Sequence, residues 1–238
     1  MLATEAGAPA AQEVSLRQSL PDRGIKRVAV WPGSTMHAGF EVEALRRVAD
    51  TAGWDLDVGN GGDDPEQFIS FYERDDADLL WVIGHGEHSP YRLEESGLAF
   101  GDRLISAEQL LNVPTGSGER RLLVLNVCSG AASQVRGGLA RVGLSHEIVG
   151  PAQQVIAHHW PIGMYTGLAF GAKLALELMA SPSAEAYSAT IRGLRSPTEL
   201  LRELIDRLGP DLGIHERLAN QKAQIGNFMS WGAPVLLT

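Results

Sequence analysis

The chain has one cysteine, Cys128, and it directly follows a short apolar run, LLVLNV at 122–127. A second apolar run, LLWVI at 79–83, ends abruptly at Gly84-His85-Gly86. A thiol next to an imidazole can do nucleophilic chemistry. The thiolate attacks a carbonyl, and the imidazole both favours the thiolate and later protonates the leaving amine. The pattern predicts a Cys-His pair, provided that the two apolar runs lie side by side.

The two apolar runs have the character of strands in a parallel sheet. From about residue 25, short apolar runs alternate with longer amphipathic stretches, which is typical of βαβ units. The run at 79–83 lacks polar alternation, which indicates burial on both faces. The carboxyl ends of parallel strands meet at one crevice, and neighbouring strands lie about 4.8 Å apart. His85 and Cys128 are therefore expected to approach each other if their strands are neighbours.

The same pattern predicts the remaining elements of an α/β domain. Further strands are predicted at 27–31, 55–58, 155–160 and 234–237. Helices are predicted at 38–52, 165–179 and 197–208, in a short segment from Ser106, and from Ser129-Gly130 to near Leu144. Residues 87–102 are predicted to be a polar excursion.

Four segments, in the same order along the chain, resemble blocks of the caspases and of their bacterial CHAT relatives in clan CD. They are IGHGE at 83–87, LLVLNVCSG at 122–130, the stretch 137–162 and SWGAPVLL at 230–237. Cys128 follows His85 by 43 residues, and in caspases the histidine lies about 50 residues upstream of the cysteine. The resemblance covers about residues 77–238. It departs from the caspase pattern Gln-Ala-Cys-x-Gly, because Asn-Val-Cys-Ser-Gly stands at 126–130.

The resemblance implies a fold and an activity. The fold is a caspase-like three-layer sandwich, a mainly parallel sheet with helices on both faces. The activity is that of a cysteine endopeptidase that forms an acyl-enzyme thioester on Cys128, with His85 as catalytic partner. The backbone amides of Gly86 and Cys128 are predicted to stabilise the oxyanion. The resemblance further implies control by a regulatory sensor domain or subunit, as in bacterial antiviral defence or signalling systems.

Three residues are predicted to line the pocket for the residue before the scissile bond. Trp160 follows a strand at the cleft edge, Asn126 lies two residues before the nucleophile as the caspase glutamine does, and Ser34 follows the first strand. An alternative for Trp160 is an aromatic side chain that packs under a loop. None of the three is charged, so a neutral residue is expected before the scissile bond.

Composition limits the other classes of function. The 238 residues include 20 Lys and Arg against 29 Asp and Glu, a formal charge of −9, so nucleic acid is not expected as a direct partner. One cysteine excludes a multi-cysteine zinc site, and His158 and His159 point to opposite faces of a strand, so no metal or other cofactor is expected. A stretch of about 18 apolar residues and a signal-peptide layout are both missing, so a cytoplasmic protein without membrane contact is expected.

The sequence also predicts a domain organisation and leaves two alternative functions open. Residues 1–24 are predicted to be a linker or flexible N-terminal segment, and residues 25–238 the peptidase domain. One alternative is a catalytically silent caspase-like domain that serves as a binding module. Another is a different α/β hydrolase or a nucleotide-binding enzyme, although the sequence motifs of those classes are missing. The expected partners are a protein substrate and the regulatory sensor, with residues 87–102 as the predicted switch.

Overall fold

The structure is a computed structural model. It describes residues 24–89, 91–92, 95–113, 121–136 and 140–238. The N-terminal linker predicted at 1–24 thus lies, except for its last residue, outside the described residues and stays a prediction.

The described residues form both strands and helices. The strands are β1 (Arg27–Pro32), β2 (Asp55–Val58), β3 (Leu79–Ile83), β4 (His85–Glu87), β5 (Gly97–Phe100), β6 (Arg103–Ser106), β7 (Arg121–Asn126), β8 (Gln134–Arg136), β9 (Ala140–Val142), β10 (Gln153–His158) and β11 (Pro234–Leu237). The helices are α1 (Ala38–Ala52), α2 (Pro65–Tyr72), α3 (Ala107–Leu111), α4 (Leu144–Ile148), α5 (Met164–Leu178), α6 (Ser183–Arg195), α7 (Pro197–Leu208), α8 (Ile214–Leu218), α9 (Lys222–Ile225) and α10 (Phe228–Trp231). None of these helices is long and apolar enough to span a bilayer.

Six strands form the main sheet, in the order β11-β10-β7-β3-β1-β2. All neighbours in it are parallel except β11, which runs antiparallel to β10. The prediction of a mainly parallel sheet is confirmed. The strands that precede His85 and Cys128, β3 and β7, are direct neighbours at its centre.

Apolar layers cover both faces of the main sheet. In β3, Leu79 and Trp81 point into the layer formed with α1, α5, α6 and α7. Leu80 and Val82 point into the opposite layer, formed with α2, α3, α4 and the strands β5 and β6. This two-sided burial explains why β3 has no polar alternation, and each fully buried large apolar side chain contributes about 1.5–3 kcal/mol. The predicted three-layer sandwich is confirmed.

The sequence pattern did not predict α2 or α6, although both helices carry start signals. The side chain of Asp64 accepts hydrogen bonds from the amides of Glu66 and Gln67, with Pro65 at the first helical position of α2. Pro182 directly precedes α6, and the fixed φ of proline suits a helix start.

Two predicted segments form other elements than expected, and the strand predicted at 155–160 spans 153–158 instead. The helix expected from Ser129 does not form, because the chain turns at Ser129 and makes the antiparallel pair β8–β9 before α4 begins at Leu144. Four glycines between positions 130 and 143 disfavour a continuous helix there. The excursion at 87–102 contains β5, which pairs with β4 and β6 in a small antiparallel sheet. Leu98 and Phe100 of β5 alternate into the core, a period-two signal within GLAF.

Candidate active site

The ends of β3 and β7 bring the histidine and the cysteine to one edge of the main sheet. Ile83 pairs with Asn126 in the register of the two strands. His85 and Cys128 each lie two residues further along, so both fall at the carboxyl edge. His85 is exposed and Cys128 is half-buried. The neighbouring strands that the sequence pattern required are therefore present.

Both residues line one open pocket of about 380 Å³. Besides the ends of β3 and β7, its walls come from the segment that enters α1 and from the start of α5. Apolar side chains form most of the wall, among them Met36, Ile83, Ile162 and Leu168. This volume lies in the range of about 300–1,000 Å³ that is typical of ligand pockets.

In this conformation the thiol of Cys128 points toward Ile162, in the part of the pocket wall that precedes α5. Its Sγ donates a hydrogen bond to the carbonyl oxygen of Ile162, with a separation of 3.7 Å. Among the hydrogen bonds of the described residues, none joins His85 to Cys128. Catalytic hydrogen bonds are often unformed before substrate binds, so the arrangement fits an unoccupied Cys-His pair.

The glycine after His85 allows a very close approach of two backbones. A Cβ atom at Gly86 would lie 2.1 Å from the carbonyl oxygen of Cys128, whereas one at Gly84 would meet nothing nearer than Val127, at 3.9 Å. Ser129, with a φ of 55°, then turns the chain sharply away. The structure thus brings together the backbones of Gly86 and Cys128, the two residues predicted to form the oxyanion site.

Asn126 lines the pocket, but its side chain is committed to a buried hydrogen-bond network. Its Nδ2 donates to both carboxylate oxygens of Glu41, each at 2.8 Å, and to the carbonyl oxygen of Gly167 at 3.0 Å. Its Oδ1 accepts from Nε2 of His158 at 3.0 Å. Asn126 therefore ties together α1, α5, β7 and β10 under the pocket.

Glu41 also lines the pocket, and the sequence reading did not single it out. Its Oε1 accepts a hydrogen bond of 2.7 Å from the indole Nε1 of Trp81. Burial raises the pKa of Glu41 to about 7, although the hydrogen bonds from Asn126 and Trp81 oppose the increase. The sequence does carry a signal for Glu41, because this residue falls on the apolar stripe of α1 between Ala38 and Leu45. A charged residue on a buried stripe indicates a site with a function.

His158, the other partner of Asn126, is completely buried. Burial, assisted by the nearby His159, lowers the pKa of His158 to about 3. The imidazole is therefore neutral at ordinary pH, and its Nε2 carries the proton that Asn126 accepts. His159 lies outside the pocket lining, with Nδ1 3.2 Å from the carbonyl oxygen of Ala131.

The structure does not place Trp160 or Ser34 in the pocket lining. The indole Nε1 of Trp160 donates to the carbonyl oxygen of Met229 at 2.7 Å, and its ring packs against Phe228. The side chain is thus turned toward the C-terminal helices, away from the cysteine. Ser34 lines a separate cavity of about 10 Å³ beside His85. Of the three predicted wall residues, only Asn126 lies in the pocket.

Within the described ranges, no group of three or more His, Cys, Asp or Glu side chains could hold a metal ion. Two histidines, His37 and His85, line the pocket, whereas His88 lies outside it with Nδ1 3.4 Å from the hydroxyl of Ser96.

The fold and the pocket together define a caspase-like α/β domain with a thiol and an imidazole at adjacent strand ends. The CHAT domain family model matches residues 3–235. Since this match spans nearly the whole chain, the chain belongs to the CHAT family, which is caspase-like and peptidase-related. The match extends well beyond the segments at 77–238 in which the motifs lie. A comparison with curated proteins finds no significant match.

Replacing Asn126 with leucine is expected to lower the free energy of unfolding by about 2–5 kcal/mol. The leucine leaves buried hydrogen-bonding groups of Glu41 and His158 without a partner, and such groups are costly. Urea unfolding measures the change. Asn112→Ala is the control, because Asn112 is exposed and bonds only within its own turn of α3. Equal free energies of unfolding for the two variants would show that the hydrogen bonds of Asn126 do not stabilise the fold.

Glu41 is expected to make stability depend on pH. Its pKa is 4.5 in the reference state and about 7 in the folded protein, so folding favours the protonated form. Its contribution is complete below pH 4.5 and is lost as the pH rises through about 7, a loss of about 3 kcal/mol. The unfolding free energy of wild type minus that of Glu41→Gln should fall by this amount between pH 4 and pH 8. A difference that stays constant over this range would contradict a raised pKa of Glu41 in the folded protein.

Proposed function

We propose that this chain is a cysteine endopeptidase that cleaves a protein substrate with Cys128 and His85. The observation that carries the proposal is the pairing of β3 with β7, which places both side chains on one pocket at the carboxyl edge of the main sheet. Parallel α/β sheets bind ligands at this edge. Membership of a peptidase-related family also supports a peptidase function.

The proposed reaction has two halves. His85 accepts the thiol proton, and the sulfur of Cys128 forms a bond to the carbonyl carbon of the substrate. The amides of Gly86 and Cys128 donate hydrogen bonds to the resulting oxyanion. When the C–N bond breaks, His85 gives its proton to the leaving amine and the acyl group remains as a thioester. A water molecule, deprotonated by His85, then attacks the thioester and releases the new carboxylate and the thiol.

For this reaction the thiol of Cys128 must break its hydrogen bond to the carbonyl oxygen of Ile162. In the structure Sγ bonds to the carbonyl oxygen of that residue, not to the imidazole. Rotation about one side-chain bond of Cys128 frees the thiol without movement of β7. The same observation favours the alternative of a catalytically silent binding module, in which the thiol would keep this position.

A search for new protein N-termini discriminates the two functions. Wild type and Cys128→Ala are expressed in parallel cultures of the same cell type, and the N-terminal peptides of the two cultures are compared by mass spectrometry. We expect neo-N-termini with a shared residue preference only in the wild type. Alkylation by iodoacetamide should abolish them, because Cys128 is the only thiol in the chain. Identical N-termini in both samples would favour the binding module.

We also propose that a regulatory sensor domain or subunit controls the activity, as the family resemblance implies for bacterial defence or signalling. His85 opens β4 and so belongs to the small sheet, whereas Cys128 follows a strand of the main sheet. A shift of the small sheet relative to the main one would therefore change the distance between imidazole and thiol. Within the predicted switch at 87–102, β5 places Leu98 and Phe100 in the core.

A further inference from the structure

Glu41 is a buried carboxyl group in the same pocket as the Cys-His pair. Both of its oxygens accept hydrogen bonds, but the donors are the neutral indole of Trp81 and the neutral amide of Asn126. No ion pair of the described residues includes Glu41. The buried lysine of the facing helix, Lys173, is paired with Glu177 and Glu203 instead.

A buried carboxylate without a cation is costly for the folded protein. Burial raises the pKa of Glu41 to about 7, so that near neutral pH the group is only partly ionised. An arriving cation would complete the ionisation and remove the cost. Groups with perturbed pKa values gather at functional sites in clefts.

The walls around Glu41 suit a long aliphatic stem. The pocket wall is mainly apolar, with Met36, Ile162 and Leu168 among the contributors. Lysine and arginine side chains combine such a stem with a charged end, and they bury the stem along apolar surface. A side chain with an apolar end would instead cover the carboxyl group without giving it a partner.

We propose that Glu41 determines the specificity of the pocket, which takes a lysine or arginine side chain from the residue before the scissile bond. This assignment rests on the proposed peptidase function. The sequence alone predicted a neutral residue, because Asn126, Trp160 and Ser34 are uncharged. That premise does not hold once Glu41 is part of the lining.

Two active-site probes that differ in one group test the assignment. They are acyloxymethyl ketones of acetyl-Ala-Ala-lysine and acetyl-Ala-Ala-norleucine, which share the same aliphatic stem and differ in the ammonium group. The thiolate of Cys128 displaces the carboxylate leaving group and forms a thioether, so alkylation needs no protein substrate. We expect the lysine probe to alkylate wild type at least about tenfold faster than the norleucine probe.

The Glu41→Gln variant should lose this preference by reacting more slowly with the lysine probe alone. Glu43→Gln, a partly exposed glutamate on the same helix and outside the pocket lining, should keep it. A merely structural role of Glu41 would slow both probes equally. A lysine preference that survives in Glu41→Gln would overturn the assignment.

The comparison of probes on wild type does not depend on the folding of any variant. Equal alkylation by the two probes would overturn the role of Glu41 while leaving the peptidase function intact. If iodoacetamide labels Cys128 but neither peptide probe does, the proposed function fails and this assignment fails with it.

Discussion

Replacing His85 with alanine is expected to lower kcat/KM for peptide cleavage by about 10²–10⁴-fold, because the variant lacks the group that moves the proton between thiol and leaving amine. Folding should be unaffected, since the side chain is exposed. Cleavage kinetics and thermal unfolding of the same preparation measure both effects.

His88→Ala is the matched control for this experiment. His88 lies three residues away and outside the pocket lining, with its imidazole near Ser96. Its removal should leave cleavage close to the wild-type rate. Near wild-type activity of His85→Ala, or equal losses in the two variants, would remove His85 from the proposed mechanism.

Gly86→Ala is expected to reduce activity at least about 100-fold, because an added methyl group would displace the backbone that carries the nucleophile and misplacement by about 1 Å costs this much. The new Cβ would lie 2.1 Å from the carbonyl oxygen of Cys128, a distance that no packed structure tolerates. The strain should also lower stability by about 1–3 kcal/mol.

Gly84→Ala provides the comparison, since its Cβ would have its nearest neighbour at 3.9 Å. Both substitutions add one methyl group beside His85, so general effects of losing a glycine cancel. We expect Gly84→Ala to retain most of the activity. Similar activities of the two variants would show that the close contact between Gly86 and Cys128 is not needed for catalysis.

The strongest sequence predictions were those based on buried strands and on amphipathic helices with clear ends. The bounds predicted for α1, β2, β3 and β11 agree with the structure to the residue. In β3 the uninterrupted apolar run is bounded by Asp78 and Gly84, so both its burial and its end are visible locally. The same information placed His85 and Cys128 at strand ends.

Side-chain directions that depend on contacts between distant parts of the chain could not be predicted from local sequence patterns. Asn126 lines the pocket, but Glu41, to which its amide donates, lies 85 residues away along the chain. The side chain of Trp160 turns toward Met229, 69 residues further on, and so away from the pocket. A local pattern can predict that a residue reaches the sheet edge, but long-range packing decides where its side chain points.

The chain of hydrogen bonds from Glu41 through Asn126 to His158 has a consequence for proton exchange during folding. Between about pH 4.5 and 6.5 the unfolded chain carries Glu41 as an anion and His158 as a cation, whereas the folded core holds both groups neutral. Folding in this range therefore amounts to the transfer of one proton from the histidine to the glutamate, with no net uptake from solvent at these two positions. Their opposite effects on stability cancel there, and the two buried groups together should give a plateau of stability in mildly acidic solution.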